Sequence, residues 1–321
     1  MDAIGKRPRT TAAVALGGGG ARGLAHLGAM EAIGESGIQT EQIVGVSIGS
    51  LIGGMYAANP DIKQVQANAI ELLGSPMFSD KCKRLMGDAS GVSPNPSASA
   101  LEWFGRWYGR LMRIVSHGHR LTRLAGNNAL LNNEILVEAI EWAIPDIDLQ
   151  DTSIPFSVVA IDLKSGRQVV LERGSLRKAI LASTAIPGFF PPIPWDDYLL
   201  CDVGVVDSIP VSVAKSYALP LTIAIDVGST MTQVDELQSA IEIVMRMEEC
   251  AEQICRRHAL PNADVVIRPD VGHWPWYDFT TPQRLIDDGR KAGRYSLDKF
   301  HRRSHLSARS RGRWQGPNLA R

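Results

Sequence analysis

Short apolar runs alternate with helix-spaced stretches along most of this 321-residue chain. Thr11 to Leu16 reads as a short buried strand. The glycines that follow read as a turn, and Ala21 to Ser36 as a helix with Leu24, Leu27, Met30 and Ile33 at helical spacing. A second unit has Ile43 to Val46 as strand and Ile48 to Ala58 as a helix rich in Gly and Ala, ended by Asn59-Pro60. Strand and helix patterns resume at Asn132 to Trp142, Phe156 to Ile161, Gln168 to Glu172 and Leu176 to Ala182, and Leu199 to Val206 and Leu221 to Asp226 read as further buried strands. A helix over Asp235 to His258 gathers Leu237, Ala240, Ile241, Val244, Ala251 and Ile254 on one face, with Glu242, Arg246, Glu249 and Arg256 elsewhere. A last strand (Asp264 to Arg268) and helix (Thr281 to Phe300) complete an alternation that predicts an α/β sandwich with helices on both faces of the sheet.

Residues 76–128 break this pattern. A Ser/Pro/Gly stretch (Asp88 to Ala98) precedes a segment in which Trp103, Phe104, Trp107, Tyr108, Leu111, Met112 and Val115 recur at i, i+3 and i+4, with Arg106, Arg110 and Arg113 largely on the other side. Residues 81–123 hold eight Lys/Arg against two acids. The segment reads as an insertion over the site. Its stripe fits a helix lying at a membrane surface through residues 99–125, or capping a site, and equally fits ordinary packing on the core.

Composition narrows the classes. With 45% apolar and 21% charged residues the chain can bury a sizeable core, and its zero formal net charge gives no global field to recruit nucleic acid or anionic lipid. Cys82, Cys201, Cys250 and Cys255 show neither zinc spacing nor a disulfide framework, which fits a reducing compartment. The opening MDAIGKRPRTT has no signal-peptide core and no 18-residue apolar run occurs, so a cytoplasmic protein is expected. Residues 1–10 are expected to be a flexible N-terminus and 301–321, with six arginines and no acid, a disordered basic tail.

The candidate chemistry begins at Gly45-Val46-Ser47-Ile48-Gly49, a G-x-S-x-G turn between strand and helix. Gly45 and Gly49 give the backbone room to bend and lift the Ser47 hydroxyl, while the following helix aims its positive end at the reacting centre. Gly17 to Gly20, 28 residues earlier, offers N–H groups for an oxyanion. Gly18 to Gly23 also fits G-x-G-x-x-G, but a dinucleotide site needs an acid after the second strand, and Glu41 precedes it. The base is less legible. His26, His117, His119, His258 and His273 fit poorly, and three carboxylates, Asp162, Asp202 and Asp226, each end or interrupt an apolar run. Periodicity does not choose among them. Asp162 also suits the cap of a hairpin turn, Asp226 the end of a core strand, and Asp207 a solvated loop.

Four blocks in order choose. Gly18-Gly19-Gly20-Ala21-Arg22-Gly23, Gly45 to Gly49, the proline-rich Ala182 to Pro192, and Asp202-Val203-Gly204 ahead of Ser208-Ile209-Pro210 together resemble the patatin-like phospholipases, in the bacterial soluble subgroup, over roughly residues 12–300. The resemblance implies a three-layer α/β/α sandwich with an inserted helical cap, an acyl-hydrolase domain over 11–300, and no metal or cofactor. It implies a Ser47–Asp202 dyad without histidine, and an oxyanion hole at Gly18, Gly19 and Gly20 supported by Arg22. The implied activity is hydrolysis of phospholipid or lysophospholipid esters through an acyl-enzyme. No nucleic-acid partner is expected, and peripheral membrane contact falls to Trp103, Phe104, Trp107 and Tyr108. Val203 departs from the family's usual glycine, and a β-branched residue resists φ > 0 and adds bulk beside the base. A soluble-acyl esterase or thioesterase, or a catalytically weak lipid-binding module, are the alternatives.

Overall fold

The chain is seen in a computed structural model that describes residues 10–74, 129, 132–237, 240–275 and 278–311. The N-terminal nine residues, the whole 76–128 insertion with Trp103, Phe104, Trp107 and Tyr108, and the end of the tail lie outside the described residues.

Two β-turn-α units open the fold as the apolar pattern requires: β1 (Thr11–Leu16), α1 (Ala25–Glu35), β2 (Gln39–Gly45) and α2 (Ile48–Ala58). Then follow α3 (Ile62–Gly74), α4 (Glu134–Ala143), β3 (Phe156–Asp162), β4 (Arg167–Leu171) and α5 (Leu176–Thr184). The chain continues through β5 (Ile193–Trp195), β6 (Tyr198–Cys201), α6 (Val211–Ser216), β7 (Leu221–Ile225), α7 (Ala240–Ala259), β8 (Val265–Ile267) and α8 (Pro282–Arg311). The strands form one mixed sheet in the order β5-β6-β3-β2-β1-β7-β8, with β4 paired to β3 off that path. β3, β2, β1, β7 and β8 pair in parallel, whereas β4 and β6 both run antiparallel to β3.

Alternation along β1 shows the three layers. Ala12, Val14 and Leu16 face a cluster that includes Leu27, Ile33, Ile52, Ile180 and Ile286, whereas Ala13 and Ala15 face one built with Val211, Ala214 and Leu260. α1 and α8 touch backbone to backbone: a Cβ on Gly289 would lie 1.9 Å from the Ala25 carbonyl oxygen, and one on Gly28 1.8 Å from that of Ile286. Glu31 of α1 closes this contact at its rim, accepting from Arg290 at 2.9 Å and from Gln66 of α3 at 2.7 Å.

The register around β3 places the site. Val158 pairs with both Gly45 of β2 and Leu171 of β4, and Ile161 with both Cys201 of β6 and Gln168 of β4. β2 and β6 therefore lie on the same edge of β3 and approach each other from opposite ends. The residues just beyond them, Ser47 and Asp202, converge opposite Val159 and Ala160.

Two helices depart from the ordinary pattern. α8 continues through Arg311, into the stretch expected as a disordered tail, because it is the outward extension of a helix already nucleated on α1. The amphipathic helix near Asp235 to His258 is present as α7 (Ala240–Ala259), and apolar residues stand on its exposed side: Ile243, Val244, Met247 and Ile254 are 50, 56, 63 and 54% exposed. Its polar side faces inward because the loop after β7 offers carbonyls there. Arg246 donates to Thr232 O at 2.6 Å, Gln253 to Ser229 O at 2.8 Å and Arg256 to Ser229 O at 2.7 Å. Among the described residues no helix is long and apolar enough to cross a membrane.

Candidate active site

Ser47 stands between β2 and α2 with φ 54° and ψ −127°, a conformation that costs a non-glycine residue of order 1–3 kcal/mol. Its neighbours make the turn feasible. A Cβ on Gly45 would lie 2.6 Å from the Gly49 carbonyl oxygen and the Ser50 Cα, and one on Gly49 2.3 Å from the Leu16 carbonyl oxygen. Behind the turn, the Ser50 hydroxyl donates to Ser47 O at 2.6 Å, and the Ser47 N–H donates to Ser183 Oγ at 2.9 Å.

Asp202 follows β6 and is only 7% exposed. Its carboxylate accepts the Gly204 N–H at 2.8 Å, and both this bond and the hydrogen-bonding influence of the neighbouring Ser47 side chain act to lower its pKa. Burial outweighs both and pushes its pKa up to about 6. Its own N–H is fixed by Ala185 O at 2.9 Å. Val203, whose size beside the base was the departure from the family pattern, does not take a positive φ; it is buried and packs among Val44, Val46, Val159 and Ile209.

The glycine turn runs past the same point. Gly18 comes so near the nucleophile that a Cβ on it would be 3.3 Å from Ser47 Cβ, and one on Gly19 would be 2.8 Å from Val227 O. The Gly18 N–H is already engaged by Ser208 O at 2.8 Å. Gly20, at φ 59°, begins a short 3-10 turn (Gly20–Leu24). His26, fully buried, places Nε2 2.8 Å from Gly17 O, so that nitrogen carries the proton; burial lowers the ring pKa to about 4 and keeps it neutral. Arg22 is buried behind the turn and donates from Nη1 to Trp274 O at 3.3 Å; burial and then Arg256 lower its pKa to about 10.

The other aspartates have different work. Asp162 accepts from the Leu199 N–H at 2.8 Å, the Lys164 N–H at 3.2 Å, the Ser165 N–H at 3.0 Å and the Ser165 hydroxyl at 2.6 Å, which caps the β3–β4 turn and holds its pKa down at about 2. Asp226, at the end of β7, is paired with Arg268 at 2.8 Å and Arg256 at 3.4 Å. Asp207 is half-buried rather than in an open loop; burial lifts its pKa to about 6, and Gln168 donates to it at 2.6 Å. Sequence reasoning set His26 aside as a base and passed over Ser183 and Ser208 as parts of the framework. Ser183 and Ser208 lie inside the quoted blocks, but nothing in their spacing reveals which backbone group each will hold.

Comparison with known proteins shows the family. A family model described as patatin-like phospholipase matches residues 14–215. The chain is 30% identical over 218 residues to an uncharacterised NTE family protein of Mycobacterium bovis, covering 68% of this chain and 49% of that one. It is 28% identical over 221 residues to patatin-like phospholipase domain-containing protein 6 of Mus musculus, covering 68% and 14%, and 28% identical over 216 residues to neuropathy target esterase sws of Drosophila melanogaster, covering 67% and 13%. It thus spans about half of the mycobacterial relative and about one seventh of the animal ones. Among solved structures, VipD from Legionella pneumophila superposes with a TM-score of 0.44 at 14% identity, covering 92% of this chain and 67% of that one.

Proposed function

Since the chain belongs to the patatin-like phospholipase family, we propose that it is a carboxylic ester hydrolase that removes fatty acyl groups from phospholipids or lysophospholipids through a Ser47–Asp202 dyad. The observation that carries this reading is the convergence of Ser47, on a strained turn beyond β2, with Asp202, a carboxylate beyond β6 whose pKa burial raises to about 6. A raised pKa makes Asp202 a better proton acceptor while leaving it ionised at neutral pH, which suits a general base.

In the first step Ser47 Oγ attacks the ester carbonyl carbon while Asp202 takes the hydroxyl proton. The tetrahedral oxyanion collapses, the C–O bond to the alcohol breaks, and Asp202 returns the proton to the departing lysolipid or glycerol oxygen. In the second step Asp202 deprotonates a water that attacks the acyl-enzyme, and the proton returns to Ser47 as the fatty acid leaves. We assign the oxyanion donors to the N–H groups of Gly19 and Gly20 together with the positive end of α2. Gly18, its N–H engaged by Ser208, brings the turn close to Ser47, and Arg22 supports the turn from behind. Substrate delivery by contact of residues 99–125 with a lipid surface, from the cytoplasmic side, completes the proposal.

The test is fluorophosphonate labelling with peptide mapping on the wild type, Ser47→Ala and Asp202→Asn, followed by hydrolysis of esters of graded chain length. Labelling at Ser47 that both substitutions abolish, with turnover falling steeply as the acyl chain shortens, is expected. A folded wild type that does not label would overturn the dyad, and turnover indifferent to chain length would move the substrate class to small soluble acyl esters.

A further inference from the structure

The three residues Ser183-Thr184-Ala185, where α5 ends, touch both members of the dyad. Ser183 Oγ accepts the Ser47 N–H at 2.9 Å and donates its own proton to Val159 O at 2.7 Å. Two residues on, Ala185 O accepts the Asp202 N–H at 2.9 Å. A hydroxyl has one proton, and Val159 takes it, so a lone pair of Ser183 is fixed toward Ser47. Ser183 has no exposed surface, and water cannot stand in for it without opening the core.

The position of Val159 explains why a side chain is needed. β2 is paired with β3 only as far as Val158, and β6 begins pairing at Ile161. Between them the ladder is interrupted, because Ser47 has turned out of the sheet at φ 54°. The interruption leaves one carbonyl, Val159 O, and one N–H, that of Ser47, without strand partners. The Ser183 hydroxyl satisfies both.

We propose that Ser183 is a positioning residue: it holds the nucleophile turn in its strained conformation and, with Ala185, sets where Ser47 stands relative to Asp202. The proposal rests on the dyad reading above. In Ser183→Ala the Ser47 N–H loses its acceptor and the turn relaxes away from Asp202. Displacement of a reacting group by about an ångström costs up to ~10²-fold in rate. Ser183→Ala should therefore slow fluorophosphonate labelling of Ser47 and kcat by about tenfold to a hundredfold, with KM changed less than about twofold. The Ser47 side chain is one of two groups that restrain the Asp202 pKa, so drawing it away should also move the acid limb of the pH–rate profile upward from about 6.

A purely structural serine would lower the melting temperature yet leave the folded enzyme's rate and acid limb where they are. Ser183→Cys, which keeps a weaker acceptor, should fall between wild type and Ser183→Ala. The experiment measures labelling rate at Ser47, kcat, KM, pH profile and melting temperature for wild type and both variants. The expected order is Ser, then Cys, then Ala, with the acid limb rising in step. Wild-type rates and an unmoved limb in a folded Ser183→Ala protein overturn the proposal. Should the alanine variant not fold, wild-type rates in a folded Ser183→Cys protein do the same. Failure of the wild type itself to label at Ser47 is a separate outcome that removes the dyad.

Discussion

Asp162 and Asp202 both have little exposed surface, and both stand where an apolar strand ends. The fold treats them in opposite ways. At the end of β3, four donors converge on Asp162 and its pKa falls to about 2; at the end of β6, Asp202 receives one backbone N–H and stands beside the Ser47 side chain, and its pKa rises to about 6. A carboxylate supplied with donors has no use for another proton. One denied them is held ready to take one. The difference between a turn cap and a candidate base is thus twofold: burial dominates at Asp202, and the donors the surrounding chain presents dominate at Asp162.

That contrast can be attacked at its strongest point first. Ser47→Ala removes the group that Asp202 would deprotonate and should abolish ester hydrolysis, a loss of about 10⁶-fold in kcat against the wild type. Asp202→Asn should cost about 10²–10⁴-fold in kcat while the melting temperature holds or rises, since a neutral amide keeps an oxygen for Gly204 and escapes the penalty of a buried charge. An equal loss of activity and stability would mean that Asp202 is structural like Asp162.

The pH dependences should also diverge. On the proposed dyad, hydrolysis needs ionised Asp202 and should be lost as pH falls through about 6. The same raised pKa means that Asp202 adds to stability when protonated, fully below about 3.8 and progressively less as pH rises toward 6. Asp162 runs the other way, its contribution full above about 3.8 and lost as pH falls toward 2. Between about pH 4 and 6 the protein should therefore stay folded while its activity disappears, seen by circular dichroism and ester turnover on the same samples. Asp162→Asn should lower the melting temperature by about 2–4 °C and leave kcat within about twofold. The smallest effect on catalysis belongs to Val203→Gly, which should cost about 1–3 kcal/mol in a denaturant titration by emptying a packed site, with kcat within about threefold.

The contrast between the two aspartates also marks what the sequence could and could not reveal. The β-turn-α units, the G-x-S-x-G turn and the glycine run were legible, because local sterics and periodicity decide them. Only the family blocks pointed to Asp202 among Asp162, Asp202 and Asp226, because what separates the three is partners distant in the chain: Leu199 for Asp162, Arg256 and Arg268 for Asp226. α7 was legible as a helix but not in its orientation. Its apolar stripe was read correctly, yet periodicity shows that a helix has two faces without showing which one the protein will turn inward. Carbonyls of Ser229 and Thr232 claimed the polar face. The extension of α8 through Arg311 was hidden by composition, since a run of arginines reads as solvated chain whether or not a helix behind it propagates into it.

The meeting of β2 and β6 on one edge of β3 makes catalysis a gauge of alignment. A slip of β6 by two residues along β3 keeps every side chain on its proper face, and so keeps the hydrophobic pattern satisfied, but carries Asp202 some ~7 Å from Ser47. A refolding population with that error would match the native protein in secondary structure and compactness and turn over no ester. Recovery of activity after denaturation therefore reports something that spectroscopy does not: that two strands arriving from opposite ends have stopped at the right rung.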